Sequence, residues 1–207
     1  IGVDVTGMNA LGGGAGIRLN SVRDCEVGRA GEGGGNVIAA MEQSGVYLQS
    51  GCASNRVANN YIGTDKTGNA KLPGQGWGII MSDCSPTNVI GGSVAERNVI
   101  SGGRGSGITV AWSTGTVIRA NYIGVGTNMA LLGNGIYGVQ VQFSRDFDVG
   151  GPSASDGNVI GVCSNDGVAI SSSSNGMVRR NYIGVAPSGS VISNADSGVY
   201  LGLCFYV

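Results

Sequence analysis

The chain contains short runs in which every second position is apolar, and these runs recur along its whole length. A phrase of glycine, Ile or Val, any residue and an aliphatic residue occurs seven times, beginning at Gly16, Gly45, Gly78, Gly107, Gly138, Gly167 and Gly198. Alternation of this kind predicts short β-strands. The phrases lie about 30 residues apart, and a fixed period of that length predicts stacked repeats.

Each repeat contains three such runs bounded by Gly, Asn or Ser. In the repeat that opens at Gly78 the runs are residues 78–81, 88–91 and 98–101. Three strands per unit with constant internal spacing predict an all-β fold, a single-stranded parallel β-helix of about seven coils. We expect one domain spanning residues 1–207, as a segment of a longer protein.

Alternation also assigns a face to each position of the first strand. The inward positions are Ile17, Val46, Ile79, Ile108, Val139, Val168, Val199, Leu19, Leu48, Met81, Val110, Val141, Ile170 and Leu201. The outward positions between them are Arg18, Tyr47, Ile80, Thr109, Gln140, Ala169 and Tyr200. The pattern therefore predicts an aliphatic core along the rod.

One asparagine precedes the third strand in six consecutive coils. These residues are Asn36, Asn60, Asn98, Asn121, Asn158 and Asn181. Asn tolerates the left-handed backbone of a sharp corner, and stacked amides can hydrogen-bond from coil to coil. We expect an asparagine ladder, and a polar binding ridge is the functional alternative.

The composition excludes several classes of partner. The net charge is −1, with 12 basic and 13 acidic residues. Nucleic acids and anionic membranes both require a basic surface, so neither is expected to bind. No apolar run approaches the ~20 residues of a membrane helix, so membrane insertion is not expected.

The cysteines and acidic turns give weak signals for metals. Five cysteines occur without a Cys-x-x-Cys pair, which fits no zinc-ligand spacing. Cys52 and Cys84 could meet across neighbouring coils, or all five could be buried small hydrophobes. Asp65 and Asp4 open matching Asp-x-Thr-Gly segments, which predict side-chain-capped turns, with calcium as the alternative. No other metal or cofactor is expected.

Two alternating phrases carry a family resemblance. Asn-Val-Ile-Ser-Gly at 98–102 and Asn-Tyr-Ile-Gly-Thr-Asp at 60–65, joined by Gly-Ile-x-aliphatic, resemble right-handed parallel β-helix repeat proteins of the pectate-lyase-like superfamily. The likeness covers residues 1 to about 203. It implies a right-handed helix and a secreted or cell-surface protein. Polysaccharide lyases, epimerases, hydrolases and proteins with no reaction all use this fold, so fold alone does not decide function.

The candidates for catalysis are few. The chain has no histidine, and the Asp-Pro-His, Gly-His-Gly and Arg-x-Lys motifs that the resemblance would offer are absent. The best carboxylate group is Asp146 and Asp148 with Arg145, which could bind a uronate. Two carboxylates on one face of an extended segment can carry glycoside hydrolysis. The alternative is a solvated turn.

The first strand and its exit provide a candidate glycan-binding face. It consists of Arg18, Tyr47, Gln49, Thr109, Trp112, Gln140, Gln142 and Phe143. Trp112 and Phe143 occupy the same position in neighbouring coils, about 4.8 Å apart along the rod. They point either outward, towards a glycan, or inward, as packing.

These observations predict a non-catalytic structural or adhesive β-helix segment with a capacity to bind polysaccharide. The alternative is a carbohydrate-active enzyme, a polysaccharide lyase, epimerase or hydrolase, or a remnant of one. The expected partner is a polysaccharide or another copy of the chain at the exposed coil ends. The apolar residues 201–207 are predicted to cap the last coil or to pair with another chain.

Overall fold

A computed structural model describes residues 1–205, and its strands form three parallel sheets. The first sheet contains β1 (Ile17–Asn20), β4 (Ser44–Gln49), β7 (Trp77–Ser82), β10 (Ile108–Ala111), β13 (Val139–Gln142), β16 (Val168–Ser171) and β19 (Val199–Gly202). The second contains β2 (Glu26–Val27), β5 (Arg56–Val57), β8 (Val89–Gly91), β11 (Val117–Arg119), β14 (Asp148–Gly150) and β17 (Met177–Arg179). The third contains β3 (Val37–Ile38), β6 (Tyr61–Ile62), β9 (Val99–Ile100), β12 (Tyr122–Ile123), β15 (Val159–Ile160) and β18 (Tyr182–Ile183). Two 3-10 helices, Val94–Glu96 and Ala154–Asp156, lie before the third strand of their coils.

Each strand pairs with the strand of the same sheet in the next coil. In the first sheet Ile108 lies opposite Ile79 on one side and Val139 on the other. Residues 1–205 therefore make six complete turns and begin a seventh, as the repeat predicts. Parallel strands joined by such crossovers wind to the right. The fold is the expected right-handed parallel β-helix.

The core lies between the three sheets. The predicted inward residues of the second to sixth coils are buried, and Ile108 and Val110 are both 0% exposed. Val199 and Leu201 in the last strand are 41% and 50% exposed because β19 has a described neighbour on one side alone. The aliphatic alternation is thus confirmed as the pattern of the core.

The asparagine ladder is present. Asn98 illustrates it, because its Oδ1 accepts from the backbone N and the Nδ2 of Asn60. Its own Nδ2 donates to Val57 O at 2.8 Å and to Asn121 Oδ1 at 2.8 Å. The four central members are 0% exposed, so they cannot form a binding ridge. They are Asn60, Asn98, Asn121 and Asn158.

The long connections after the third strand fold into small hairpins that stack on one another every second coil. Thr64 pairs with Lys71 in one hairpin, and Thr127 in the next donates to Thr67 O at 3.1 Å. Asp65 Oδ1 accepts from Thr67 Oγ1 at 2.8 Å and from two backbone amides. The turn at Asp65 is therefore capped by its side chain, as predicted.

All five cysteines are free thiols, and three of them are buried. Ser85 N donates to Cys52 O, which places Cys52 and Cys84 in neighbouring coils. Burial, and next the charge of Cys52, raise the pKa of Cys84 to about 12. Burial raises the pKa of Cys163 to about 12 as well. These thiols act as small core residues.

The final segment continues the coil as far as it is described. Phe205 forms a parallel bridge with Ser174 and its N donates to Ser173 O. Leu203 is 82% exposed and Phe205 is 69% exposed. Tyr206 and Val207 lie outside the described residues, so capping or pairing by residues 201–207 stays a prediction.

Candidate functional site

The residue that follows the first strand of each coil adopts a left-handed backbone. At this corner most coils carry a small or polar residue, for example Ser50, Asp83 and Ser172. Two neighbouring coils carry aromatic residues instead, with φ of 47° at Trp112 and 49° at Phe143, and the seventh coil carries Leu203 with φ of 53°. Bulky residues rarely adopt this conformation, and strained backbone is concentrated at functional sites. The corner that carries Trp112 and Phe143 is therefore the candidate functional site.

Trp112 and Phe143 form an exposed stack. Their ring centroids are 5.3 Å apart and the planes differ by 9°. Trp112 is 60% exposed and Phe143 is 51% exposed. Both side chains point outward, so the inward packing interpretation is wrong, and binding of a glycan by the pair stays a prediction. Alternation fails here because the left-handed corner turns both side chains away from the core.

A groove of about 430 Å³ runs beside the stack. One wall is the aromatic pair followed by Ser172, and the other is Thr114, Arg145 and Ser174. Its floor is made of serines, since Ser113 and Ser144 line it. We call this surface the aromatic groove. It is shallow and open along the rod, which suits an extended ligand better than a small enclosed one.

The floor is fixed by a second ladder of side chains. Ser113 N donates to Ser144 Oγ, and Ser144 N donates to Ser173 Oγ, both at 3.1 Å. Each of these hydroxyls donates in turn to a backbone oxygen two residues earlier. The floor is therefore rigid, and it holds the residues on both sides of it at the coil spacing.

Arg145 projects from the wall opposite the aromatic pair. Its Nε donates to Thr114 Oγ1 at 3.1 Å and lies 4.0 Å from Asp146 Oδ2. The side chains of Arg145 and Asp146 are 70% and 48% exposed. Asp146 Oδ1 also accepts from Asn175 Nδ2 at 3.3 Å. The cluster can exchange hydrogen bonds with a polar ligand in the groove.

Asp146 and Asp148 do not form a pair. Asp146 has a left-handed backbone with φ of 55°, so the premise of one extended segment is wrong. Asp148 lies in β14, where its Oδ2 accepts from Arg119 at 3.0 Å and from Arg179 at 2.9 Å. Burial acts to raise the pKa of Asp148, but the hydrogen bonds from Arg179 and Arg119 outweigh it and lower the pKa. Asp148 thus ties three coils together.

The other candidates for the binding face are spread along the first sheet. Gln142 precedes Phe143, and Gln140 Nε2 lies 3.5 Å from Gln142 Oε1. Arg18 packs over the ring of Tyr47, 5.5 Å from its centroid, in the first two coils. Two further candidates do not line the groove, although one of them lies in the same coil as Trp112. They are Gln49, which is half-buried, and Thr109, which is 9% exposed.

No metal centre emerges among residues 1–205, where no three His, Cys, Asp or Glu side chains form a cluster suited to an ion. In the first hairpin, hydrogen bonds from Asn9 and Thr6 lower the pKa of Asp4. The carboxylate oxygens of Asp4 therefore accept hydrogen bonds from within its own turn. Calcium binding remains the untested alternative. Within the same residues, no helix has the length and apolarity needed to cross a membrane.

A larger hollow of about 570 Å³ lies beside the first coil. Its lining includes the core side chains Ile17 and Val27 and a glycine-rich loop at 28–36. It lies at the N-terminal end of the stack, away from the aromatic pair. We assign no site to it.

No family profile matches the chain, and no curated protein sequence matches it. In structure it is similar to a mutant of the periplasmic alginate epimerase AlgG, with a TM-score of 0.44 and 15% sequence identity. The match covers 92% of this chain and 47% of the epimerase chain, so this chain spans about half the length of that protein. A likeness of this size carries no argument about function.

Proposed function

We propose that this chain is a non-catalytic β-helix segment that binds polysaccharide at the aromatic groove. The observation that carries the proposal is the exposed stack of Trp112 and Phe143 beside an open groove. Exposed aromatic side chains on a strained backbone are unfavourable for stability, and ligand binding explains their presence.

The stack offers what a sugar ring binds. Aromatic faces are apolar and carry negative partial charge, so they attract the C–H groups on the flat face of a pyranose. Around the rings, Thr114, Ser174 and Arg145 provide hydroxyl and guanidinium groups for the sugar hydroxyls. Apolar faces surrounded by a few polar groups are the usual composition of a ligand site.

The arrangement of the carboxylates supports binding without catalysis. Glycoside hydrolysis uses two carboxyl groups on either side of the scissile bond. Asp146 is exposed beside the groove, whereas Asp148 is held by two arginines on the second sheet. The second acid of the pair predicted from the sequence, Asp148, is therefore not available to act together with Asp146.

The rigid rod supports a structural or adhesive role. Its coils are held by ladders of buried amides and by an aliphatic core, so the groove is displayed on a stiff surface. A site on rigid elements binds without the cost of ordering a loop. Secretion or a cell-surface location is part of the proposal and rests on the family resemblance.

The test is retention on polysaccharides by affinity electrophoresis, with a panel of neutral and acidic polymers in the gel. The key variant is Trp112→Ser/Phe143→Ser, because serine occupies this left-handed corner in other coils and the fold should persist. We expect the double variant to lose at least about tenfold in affinity, the equivalent of ~1.4 kcal/mol.

A matched control removes an aromatic residue outside the groove. Trp77→Ala is suitable, since Trp77 is 39% exposed and begins β7, at the opposite end of the strands of this sheet from the left-handed corner. It should keep wild-type retention. Equal retention by the wild type and the double variant would overturn the site. Release of shortened or unsaturated products would overturn the non-catalytic part.

A further inference from the structure

The charges around the aromatic groove are few and do not favour an acidic ligand. Among the described residues, Arg145 is the charged residue that lines the groove, Asp146 Oδ2 lies 4.0 Å from its Nε, and Asp83 occupies the corner one coil before Trp112. Two carboxylates and one guanidinium give a local sum of −1. All three residues are exposed. An acidic polysaccharide laid along the groove would meet as much repulsion as attraction.

Arg145, the one cation that lines the groove among residues 1–205, is already engaged. Arg145 donates to Thr114 Oγ1 and has the carboxylate of Asp146 4.0 Å away. The next basic groups, Arg119 and Arg179, share Asp148 on the outer face of the second sheet. A bidentate carboxylate site needs a guanidinium that is free of competing acids. The groove has no such group among the described residues.

Past Phe143 the stack leaves a slot. The next coil places Ser172 at the corner, so one face of the Phe143 ring is covered by a small residue instead of a ring. Coils are about 4.8 Å apart, which is close to the thickness of a pyranose ring. Ser172 and Ser174 line this slot and present hydroxyls to its occupant.

We propose that the slot between Phe143 and Ser172 holds one ring of an uncharged polysaccharide, and that the groove discriminates against polyuronates. The inference rests on the proposed function and names its ligand class. The ring stacks on Phe143 as the next member of the aromatic column. The hydroxyls of serine and threonine form hydrogen bonds with the hydroxyl groups of the sugar, and these bonds need no charge on the ligand.

Matched polymers test the charge. The probes are a neutral glucan, mannan and galactan, each paired with the polyuronate made from it by oxidation of the C6 alcohol. We expect the oxidised form of the retained polymer to bind about two- to fivefold more weakly at low salt, because each uronate adds a negative charge to a surface whose exposed charges already sum to −1. Added salt should reduce this difference in affinity between the two forms, because salt screens exposed charges. The double variant Asp83→Asn/Asp146→Asn should bind the neutral and the oxidised polymer with equal affinity.

A second variant tests the slot. Ser172→Trp places a ring where the sugar is expected, in a corner that already accommodates Trp112 in another coil. Loss of retention supports the slot, with circular dichroism confirming the fold. Unchanged or stronger retention overturns it, since the ligand would then lie on the edges of the rings.

The two proposals fail in different ways. If no polymer of either kind is retained, the proposed function is overturned. If the oxidised forms bind as tightly as the neutral ones or more tightly, and Trp112→Ser/Phe143→Ser still abolishes binding, the proposed function stands. In that case the inference of an uncharged ligand is overturned, and Arg145→Gln should weaken the binding of the acidic form.

Discussion

The asparagine ladder makes a quantitative prediction at Asn98. Its side chain is fully buried and takes part in four hydrogen bonds, as acceptor from Asn60 twice and as donor to Val57 O and Asn121 Oδ1. In Asn98→Ala the backbone N of Asn60 loses its acceptor inside the core. Each buried group left without a partner costs about 1–3 kcal/mol. We expect a total loss of about 3 kcal/mol or more in the free energy of unfolding.

The end of the same ladder supplies the comparison. Asn36 is half-buried, and its side chain makes one bond, from Nδ2 to Asn60 Oδ1 at 2.8 Å. Asn36→Ala should therefore cost about 1 kcal/mol. Asn165→Ala is the neutral control, because that half-exposed side chain makes no hydrogen bond to the described residues. It should stay within about 0.5 kcal/mol of the wild type.

Urea unfolding followed by far-ultraviolet circular dichroism measures these differences through the midpoint and slope. The expected order of stability is wild type and Asn165→Ala, then Asn36→Ala, then Asn98→Ala. If Asn98→Ala is no less stable than Asn36→Ala, the ladder does not stabilise the corner. The amides would then be an incidental result of a turn that happens to favour asparagine.

Two further predictions concern the core and pH. Ile108→Ala should lower the free energy of unfolding by about 2–5 kcal/mol, whereas Val199→Ala, at a position 41% exposed, should cost under about 1 kcal/mol in the same urea assay. The lowered pKa of Asp148 gives stability that is fully present above the unfolded pKa near 3.9 and is lost as pH falls through the folded pKa. The difference between wild type and Asp148→Asn in urea midpoint should therefore be large at pH 7 and shrink towards pH 2, and a constant difference would contradict the ion pairs.

Periodicity predicted most of the fold because the repeat acts on every coil at once. The residues at 108 and 110 are buried in β10, as alternation requires, and the corner asparagines form their ladder. The serine ladder was missed, although Ser113, Ser144 and Ser173 each lie six residues after the glycine that opens their coil. The repeated spacing indicated the ladder, but serine is common in turns, so its recurrence fits an exposed turn as well as a stack of hydrogen-bonded side chains.

The site was harder to predict because alternation holds only while the backbone stays extended. One left-handed residue rotates everything after it, which is why the orientation of Trp112 and Phe143 could not be decided from spacing. The same effect separated Asp146 from Asp148. Contacts that long side chains make between neighbouring coils, such as those of the two arginines with Asp148, do not change the spacing of the repeat, so the sequence pattern does not reveal them.

The position of the groove follows from where the repeat is broken. At the left-handed corner, small or polar residues satisfy the backbone in the first three coils and again in the sixth. Stability alone gives little reason for a different choice in the fourth and fifth coils, because Trp112 and Phe143 stay 60% and 51% exposed and keep the left-handed backbone. Trp112 and Phe143 are nevertheless both aromatic, both exposed and stacked. Where local rules are broken without a structural gain, the gain is expected in function, and this corner is where the described coils show it most clearly.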